Sequence, residues 1–296
     1  MAWPAPQSTS PGDVPGSTVP LPQRWWRRPR AQEQGQGQGP AHEAPRPARP
    51  PRSRARRYLK RAAITLAVFV VLLSIGAGIL LLVTPSVTNA TTLAARQAAE
   101  HGIAYPGPPV PANVARPLIA TEDHRFYGEP GIDPLAVGRV IQGKITGSQD
   151  QGGATIEQQL AKMLYTHGET GPFAELTQMA VAFKLNYTYS KAEILRLYAE
   201  VAYYGHGYYG LQAASCGYFG HPAADLTVVQ GAMLAGVVNA PSVDDPISFP
   251  ASAHARLAHV IARMVAVGYL TPARGRTVLA TPLGIVPRDQ ANQAGC

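Results

Sequence analysis

Cysteine is nearly absent from this 296-residue chain: there are two, Cys216 and Cys296. Cys216 sits among Ala and Phe in an apolar stretch, which suits a buried thiol, and Cys296 is the last residue, where a chain end is usually mobile. An exterior location would permit a disulfide between them, but none is assigned. Alternating apolar and polar residues are also lacking, which argues against a sheet and for a mostly α fold. The histidines (42, 101, 124, 167, 206, 221, 254 and 259) show no metal-ligand spacing. His254 and His259, five apart on a helical stretch, suit surface or packing roles, so no metal site is assigned. Acidic residues are scarce at the front. Residues 1–61 hold three (Asp13, Glu33, Glu43) against twelve Lys/Arg, a net of +9. The whole chain is +8, so the remainder is about neutral at −1 and the high pI belongs to the tail.

That tail, 1–61, is rich in Pro, Gln, Gly and Arg and poor in aliphatic residues, with a Gln-Gly repeat at 34–39. It cannot bury enough apolar surface to offset its ordering entropy and reads as disordered. A basic tail suits nucleic acid or anionic lipid; it also suits a topology signal followed by a solvated linker. The next segment favours the second, and no nucleic-acid partner is assigned. Residues 62–83 form an uncharged run rich in Leu, Val and Ile. At ~1.5 Å per residue it spans roughly 33 Å, enough for a bilayer core of about 30 Å. Arg56, Arg57, Lys60 and Arg61 flank its start, and no charge follows before Arg96. The positive-inside rule puts the N-terminus in the cytoplasm and the rest outside, as a single-pass membrane protein. Sixty residues before the apolar run favour an uncleaved anchor over a signal peptide.

Residues 84–111 read as a stalk, with helical character from Thr91 to His101. Residues 112–296 suffice for one domain. Asp133-Pro134 opens a helix to about Ile145. Capping boxes at Thr155-x-x-Gln158 and Ser190-x-x-Glu193 open others, to about Tyr165 and to about Val201 or Ala202. Pro172 starts a helix to about Tyr187. Leu211–Phe219, Thr227–Val238 and Ala251–Gly268 show apolar residues three and four apart, and Thr271-Pro272 caps a short last helix.

The stretch from Thr121 to Asp133 organises this domain. Pro117 suits the first turn of a helix, and Gly128, Pro130 and Gly131 stop it. Glu122 and Asp123 fall on its last turns, where the helix dipole does not favour a carboxylate. Among apolar neighbours such a group should have a raised pKa and be a better base. An ordinary pair on a solvated helix end is the other reading.

A second stretch, Gly152 to Lys162, sharpens the choice. Together the two resemble the first motifs of the peptidoglycan glycosyltransferases, the family 51 glycosyltransferases found alone or as modules of class A penicillin-binding proteins. Of the motif Glu-Asp-x-x-Phe-x-x-His-x-Gly, Glu122, Asp123, Phe126 and Gly131 match. Of Gly-Gly-Ser-Thr-Ile-Thr-Gln-Gln, Gly152, Gly153, Thr155, Ile156, Gln158 and Gln159 match. The resemblance continues through Tyr189–Leu195 and Tyr204–Gly210 to about Asn239–Ser242. It implies a mostly α, lysozyme-like glycosyltransferase domain behind a single N-terminal transmembrane helix. It further implies polymerisation of lipid II into glycan strands with release of polyprenyl pyrophosphate, at the cell membrane with the domain extracellular. Glu122 would be the catalytic base, and Asp123, Thr155, Gln158, Gln159 and Lys162 would bind substrate. Mg2+ or Mn2+ would accompany the pyrophosphate, with no organic cofactor. The implied partners are lipid II, the nascent glycan strand, the bacterial membrane and other cell-wall synthesis proteins. Too little chain follows residue 270 for a transpeptidase module.

The chain also departs from the pattern. The motif-one His is Glu129, and in motif two Ser becomes Ala154 and the second Thr becomes Glu157. The third motif, Arg-Lys-x-x-Glu, aligns with Ala174-Glu175-Leu176-Thr177-Gln178, so the second carboxylate position is Gln178; an upstream Arg becomes Thr170. In the fourth, Ile-Leu-Glu-x-Tyr-Leu-Asn becomes Ile194-Leu195-Arg196-Leu197-Tyr198-Ala199-Glu200. The losses fall on the leaving-group side. Arg125, His167, Lys184, Lys191 and Arg196 are candidate substitutes, each otherwise a solvated charge. The alternative reading is a non-catalytic homologue that binds lipid II or nascent glycan and regulates wall synthesis.

Overall fold

The computed structural model describes residues 52–133, 154–287 and 296. Helix α1 (Arg52–Val83) carries the long apolar run. It extends ten residues ahead of the uncharged segment, through the basic cluster. It is the one helix among the described residues long and apolar enough to cross a membrane. The rest of the domain is helical: α2 (Ala90–Glu100), α3 (Ala112–Glu122), α4 (Ile156–Tyr165), α5 (Pro172–Thr188), α6 (Lys191–Val201), α7 (Leu211–Phe219), α8 (Val228–Val237), α9 (Pro250–Ala266) and α10 (Pro272–Leu279). Among the described residues no strand forms; the one bridge joins Tyr203 and Tyr209 across the Gly-Tyr turn. The mostly α expectation holds. The helix expected from Asp133-Pro134 lies outside the described residues.

Helix starts follow their local chemistry. Thr155, Ser190 and Thr227 each accept a hydrogen bond from the third helical residue, whose Gln or Glu side chain reaches back to the cap N–H. Thr271 caps α10, and Pro opens α5, α9 and α10. Helix α8 is buried on nearly every side, from Val229 to Val237, and forms the centre on which α3 and α9 pack. Helices α4, α5 and α6 make a second packed group. Leu118 and Ile119 on α3, Ile156 and Leu160 on α4, and Leu197 on α6 share one buried cluster that joins the two.

Three expectations need correction. Pro117 lies inside α3, not in its first turn. Lacking an N–H, it cannot bond the Asn113 carbonyl in the usual helical way. Gly231 of α8 packs on that carbonyl, and a Cβ there would stand 2.0 Å from the oxygen. Gly231→Ala should therefore force α3 and α8 apart and cost about 3 kcal/mol, read as a fall in melting temperature. An unchanged melting temperature would show that the two helices are not in this register.

Residues 84–111 are more than a stalk. Val87, Ala90 and Ala94 belong to the buried cluster, and Lys184 Nζ donates to the Thr84 and Pro85 carbonyls at 2.8 and 3.0 Å, just past the end of α1. Tyr189 Oη donates to the Val87 carbonyl at 2.9 Å. A helix carrying Ala at every fourth position packs closely, which composition alone does not separate from a linker.

The third correction concerns the cysteines. Cys216 and Cys296 form a disulfide, with Cα atoms 5.9 Å apart. The segment after α10 returns along the domain: Gln230 Nε2 donates to the Leu283 carbonyl at 3.1 Å and the Val286 N–H to the Tyr218 carbonyl at 2.9 Å. That path leads the chain back to α7, where Cys216 is only half-buried.

Candidate active site

Glu122 is the last residue of α3, as expected. Its carboxylate points into the seam between the two helix groups, and its side chain is 5% exposed. Gln159 Nε2, from α4, donates to Oε2 at 2.9 Å. Arg256 Nη2, from α9, lies 3.5 Å from Oε1 as an ion pair. Asn239 Nδ2, exposed just past α8, stands 3.4 and 3.5 Å from the two oxygens. The sequence suggested apolar neighbours; the structure supplies two carboxamides and a guanidinium instead.

The orientation of Gln159 is itself imposed. Tyr198 Oη, fully buried on α6, donates to Gln159 Oε1 at 2.8 Å. Burial, with the nearby Glu122 charge, pushes this phenol well above its ordinary pKa, so it stays a donor. With Oε1 taken, the Gln159 amide nitrogen faces Glu122, with the Ala154 carbonyl at 3.4 Å as its weaker second acceptor. A line of three side chains from three helices thus aims one carboxylate.

The other expected substrate-binding residues divide. Asp123 Oδ2 accepts from the Ile156 N–H at 3.2 Å, at the start of α4. Thr155 caps α4 and its Oγ1 donates to the Gly131 carbonyl at 2.8 Å. Gln158 Oε1 accepts from the Thr155 N–H at 3.0 Å. These three bind the α3–α4 junction together with their own polar atoms. Gly131 has φ +80, and a Cβ there would meet the Ala182 carbonyl at 2.6 Å, which accounts for glycine at that position. Lys162 lies one turn beyond Gln159 on α4; its carbonyl accepts from the Gly168 N–H at 3.0 Å and from Thr166 Oγ1 at 3.3 Å, while its ammonium group has no hydrogen-bond or ion-pair partner among the described residues. Gln178 Nε2 donates to Thr166 Oγ1 at 2.9 Å and to the Glu169 carbonyl at 3.0 Å, so it holds the α4–α5 turn. Gly152 and Gly153 lie outside the described residues.

The candidate replacement cations are mostly engaged elsewhere. Arg125 pairs with Asp133, Arg196 Nη1 lies 3.6 Å from Glu200, and Lys184 binds backbone carbonyls beyond α1. Lys191 Nζ donates to Glu157 Oε1 at 2.6 Å and to the Glu129 carbonyl at 2.9 Å, and sits 4.6 Å over the Phe126 ring. His167 is exposed. Arg256 escaped the sequence reading. Its one signal is weak: Arg256 and Arg263 are seven apart on α9, hence on one face, and Arg263 Nε donates to the Ala120 carbonyl of α3 at 3.3 Å.

Two departures from the family pattern meet beside Asp123. Glu129 and Glu157 bring carboxylate oxygens to within 4.8 Å of one another and of Asp123, all three residues being buried. Burial first, then Asp123 within hydrogen-bonding reach of a protonated carboxyl and the charges of Asp123, Asp133 and Glu157, push Glu129 up to about 8. Burial also raises Glu157, against the pull of Lys191.

The Transglycosylase family pattern matches residues 89–265, more than half of the chain. Penicillin-binding protein 1F of Bacillus subtilis is 39% identical over 185 residues, 62% of this chain and 26% of that protein. Penicillin-binding protein 1A of Mycobacterium tuberculosis is 37% identical over 167 residues, 55% of this chain and 20% of that protein. A Cupriavidus necator protein provisionally named a transglycosylase is 32% identical over 174 residues, 59% of this chain and 75% of its own length. The chain spans about a quarter or less of the two penicillin-binding proteins. A helical domain that presents Glu122 at the seam of its two helix groups, matched over this length, belongs to the transglycosylase family, the family 51 glycosyltransferases.

Proposed function

We propose that the chain is a membrane-anchored peptidoglycan glycosyltransferase that polymerises lipid II and releases polyprenyl pyrophosphate. The observation that carries this is the aimed carboxylate of Glu122, held by Gln159, Asn239 and Arg256. An alcohol is a weak nucleophile at neutral pH. In the transfer, the 4-hydroxyl of one sugar attacks the anomeric carbon of another as Glu122 takes its proton, and the bond to pyrophosphate breaks. Gln159 orients the base, while Asp123, Thr155 and Gln158 hold the helix that carries Gln159. Lys162, whose ammonium group has no partner among the described residues, is the residue for the leaving pyrophosphate's charge.

Family 51 enzymes generally depend on a divalent cation. At the second-carboxylate position Gln178 turns its amide nitrogen to Thr166 and Glu169, so it offers no anionic ligand, and no step is routed through a metal there. Helix α1, with its basic start, is the anchor, and the domain lies outside the cell. Protease added to wall-stripped cells checks that orientation, since it should digest the domain and spare the tail. The deciding experiment gives the purified full chain labelled lipid II and Mg2+. Glycan polymer is the expected product. Binding of lipid II without polymer would overturn the enzymatic assignment.

A further inference from the structure

Two acids that set this chain apart from the family pattern, Glu129 and Glu157, stand side by side with Asp123. Their carboxylate oxygens lie within 4.8 Å of one another. Each comes from a different piece of the α3–α4 junction: the cap of α3, the loop after it and the first turn of α4. The Glu129 side chain is 6% exposed, and both its oxygens are buried with no hydrogen-bond donor among the described residues. Glu157 is fully buried; Lys191 takes its Oε1 and leaves Oε2 without a donor.

Such groups do not stay bare. A buried carboxylate without a compensating charge or donor is strongly unfavourable. Lys191 offsets one of the three charges. Arg125 comes to 4.0 Å of Glu129 but is paired with Asp133. With all three ionised, as ligands to a cation would be, two negative charges would remain among the described residues, together with three buried oxygens on two carboxylates that no donor among the described residues reaches. Hard divalent cations take oxygen ligands at about 2.0 to 2.6 Å, and carboxylates at this spacing can share one. The family's His and Thr at positions 129 and 157 would leave Asp123 as the single anionic ligand. The two acids make a ligand set only together.

We propose that Asp123, Glu129 and Glu157 bind a hard divalent cation, of the class of Mg2+, Mn2+ or Ca2+. The ion ties the end of α3 to the start of α4. It is formed by protein ligands alone and needs no pyrophosphate. Asp123 follows Glu122 in the chain, and α4 carries Gln159, so the ion has a positioning role for the carboxylate and its donor.

The test uses the full chain in detergent, stripped with a chelator and free of lipid substrate, so its outcome does not depend on polymerisation. Mn2+ titration followed by electron paramagnetic resonance should show one saturable site. Mn2+, Mg2+ or Ca2+ should raise the melting temperature by several degrees. Glu129→Gln and Glu157→Gln should each weaken Mn2+ binding at least tenfold, and the double variant should lose it. In chelator, Glu129→Gln should melt higher than the wild type, because a carboxyl that burial and its acidic neighbours hold against ionisation is gone; with Mn2+ that order should reverse. A reversal of this kind cannot come from a variant that merely folds badly. No saturable Mn2+ binding by the wild type overturns the proposal, as does undiminished binding by the double variant. A wild type whose melting responds to pH but to none of the three ions overturns it too, and assigns the missing positive charge to protons.

Discussion

Glu122→Gln should reduce lipid II polymerisation by a factor on the order of a thousand, while the protein keeps its fold and its affinity for lipid II. A positioned general base contributes roughly 10²- to 10⁴-fold, and an amide keeps the shape of the side chain but not its basicity. The surroundings make the loss more complete. Glu122 now accepts from Gln159 and Asn239 and pairs with Arg256. An amide in its place must turn its NH2 toward at least one of these donors, which disturbs the line from Tyr198 through Gln159. The measurements are polymer length and initial rate beside a melting curve. Full activity of the variant would remove Glu122 from the chemistry and leave the family resemblance as evidence of fold. Equal loss of activity and of folded protein would place Glu122 among the residues that hold the seam.

Lys191→Met should be among the most destabilising single changes in the domain. Among the described residues Lys191 is the one cation that donates to the fully buried Glu157, and it also donates to the Glu129 carbonyl. Removing one partner of a buried pair commonly costs about 3–5 kcal/mol, because the other charge is left uncompensated. In a domain of this size that corresponds to a fall of roughly 10 °C in melting temperature. The cause can be separated from lost packing. Glu157→Gln alone should cost little, and the double variant Lys191→Met with Glu157→Gln should recover most of the stability, a coupling that a double-mutant cycle measures. All four proteins are compared in chelator, so that a bound cation does not mask the charge balance. Additive losses would mean that Glu157 is neutral in the folded protein and that Lys191 acts through its contact with Phe126.

The two predictions draw on different parts of the chain's legibility. Glu122 was visible in the sequence as part of a motif at the family's spacing to Thr155, Gln158 and Gln159, and the structure brings Glu122 and Gln159 together across 37 positions. The Lys191 cluster was not. Glu129 and Glu157 read as isolated departures from the family pattern, and Lys191 as a solvated charge. They meet because Gly131 at φ +80 turns the loop against α5, while Thr155 binds the Gly131 carbonyl and sets the first turn of α4 beside it.

Local chemistry by itself determined the helical elements and many of their ends. Capping residues, proline at the first turn and apolar spacing act within a few residues of one another, so Thr155, Pro172, Ser190, Thr227 and Thr271 could be read directly. The long apolar run of α1 was legible for the same reason. Tertiary structure alone decided what surrounds the functional groups. Arg256 reaches Glu122 from 134 residues away, on a helix whose sequence announces only an amphipathic face. Pro117 is tolerated inside α3 where Gly231 packs on the Asn113 carbonyl, the alanines of α2 join the core, and Cys296 reaches Cys216 because the returning segment binds Leu283 and Val286 to the domain. Each of these depends on which surfaces face one another after packing, and no pattern within a single helix carries that information.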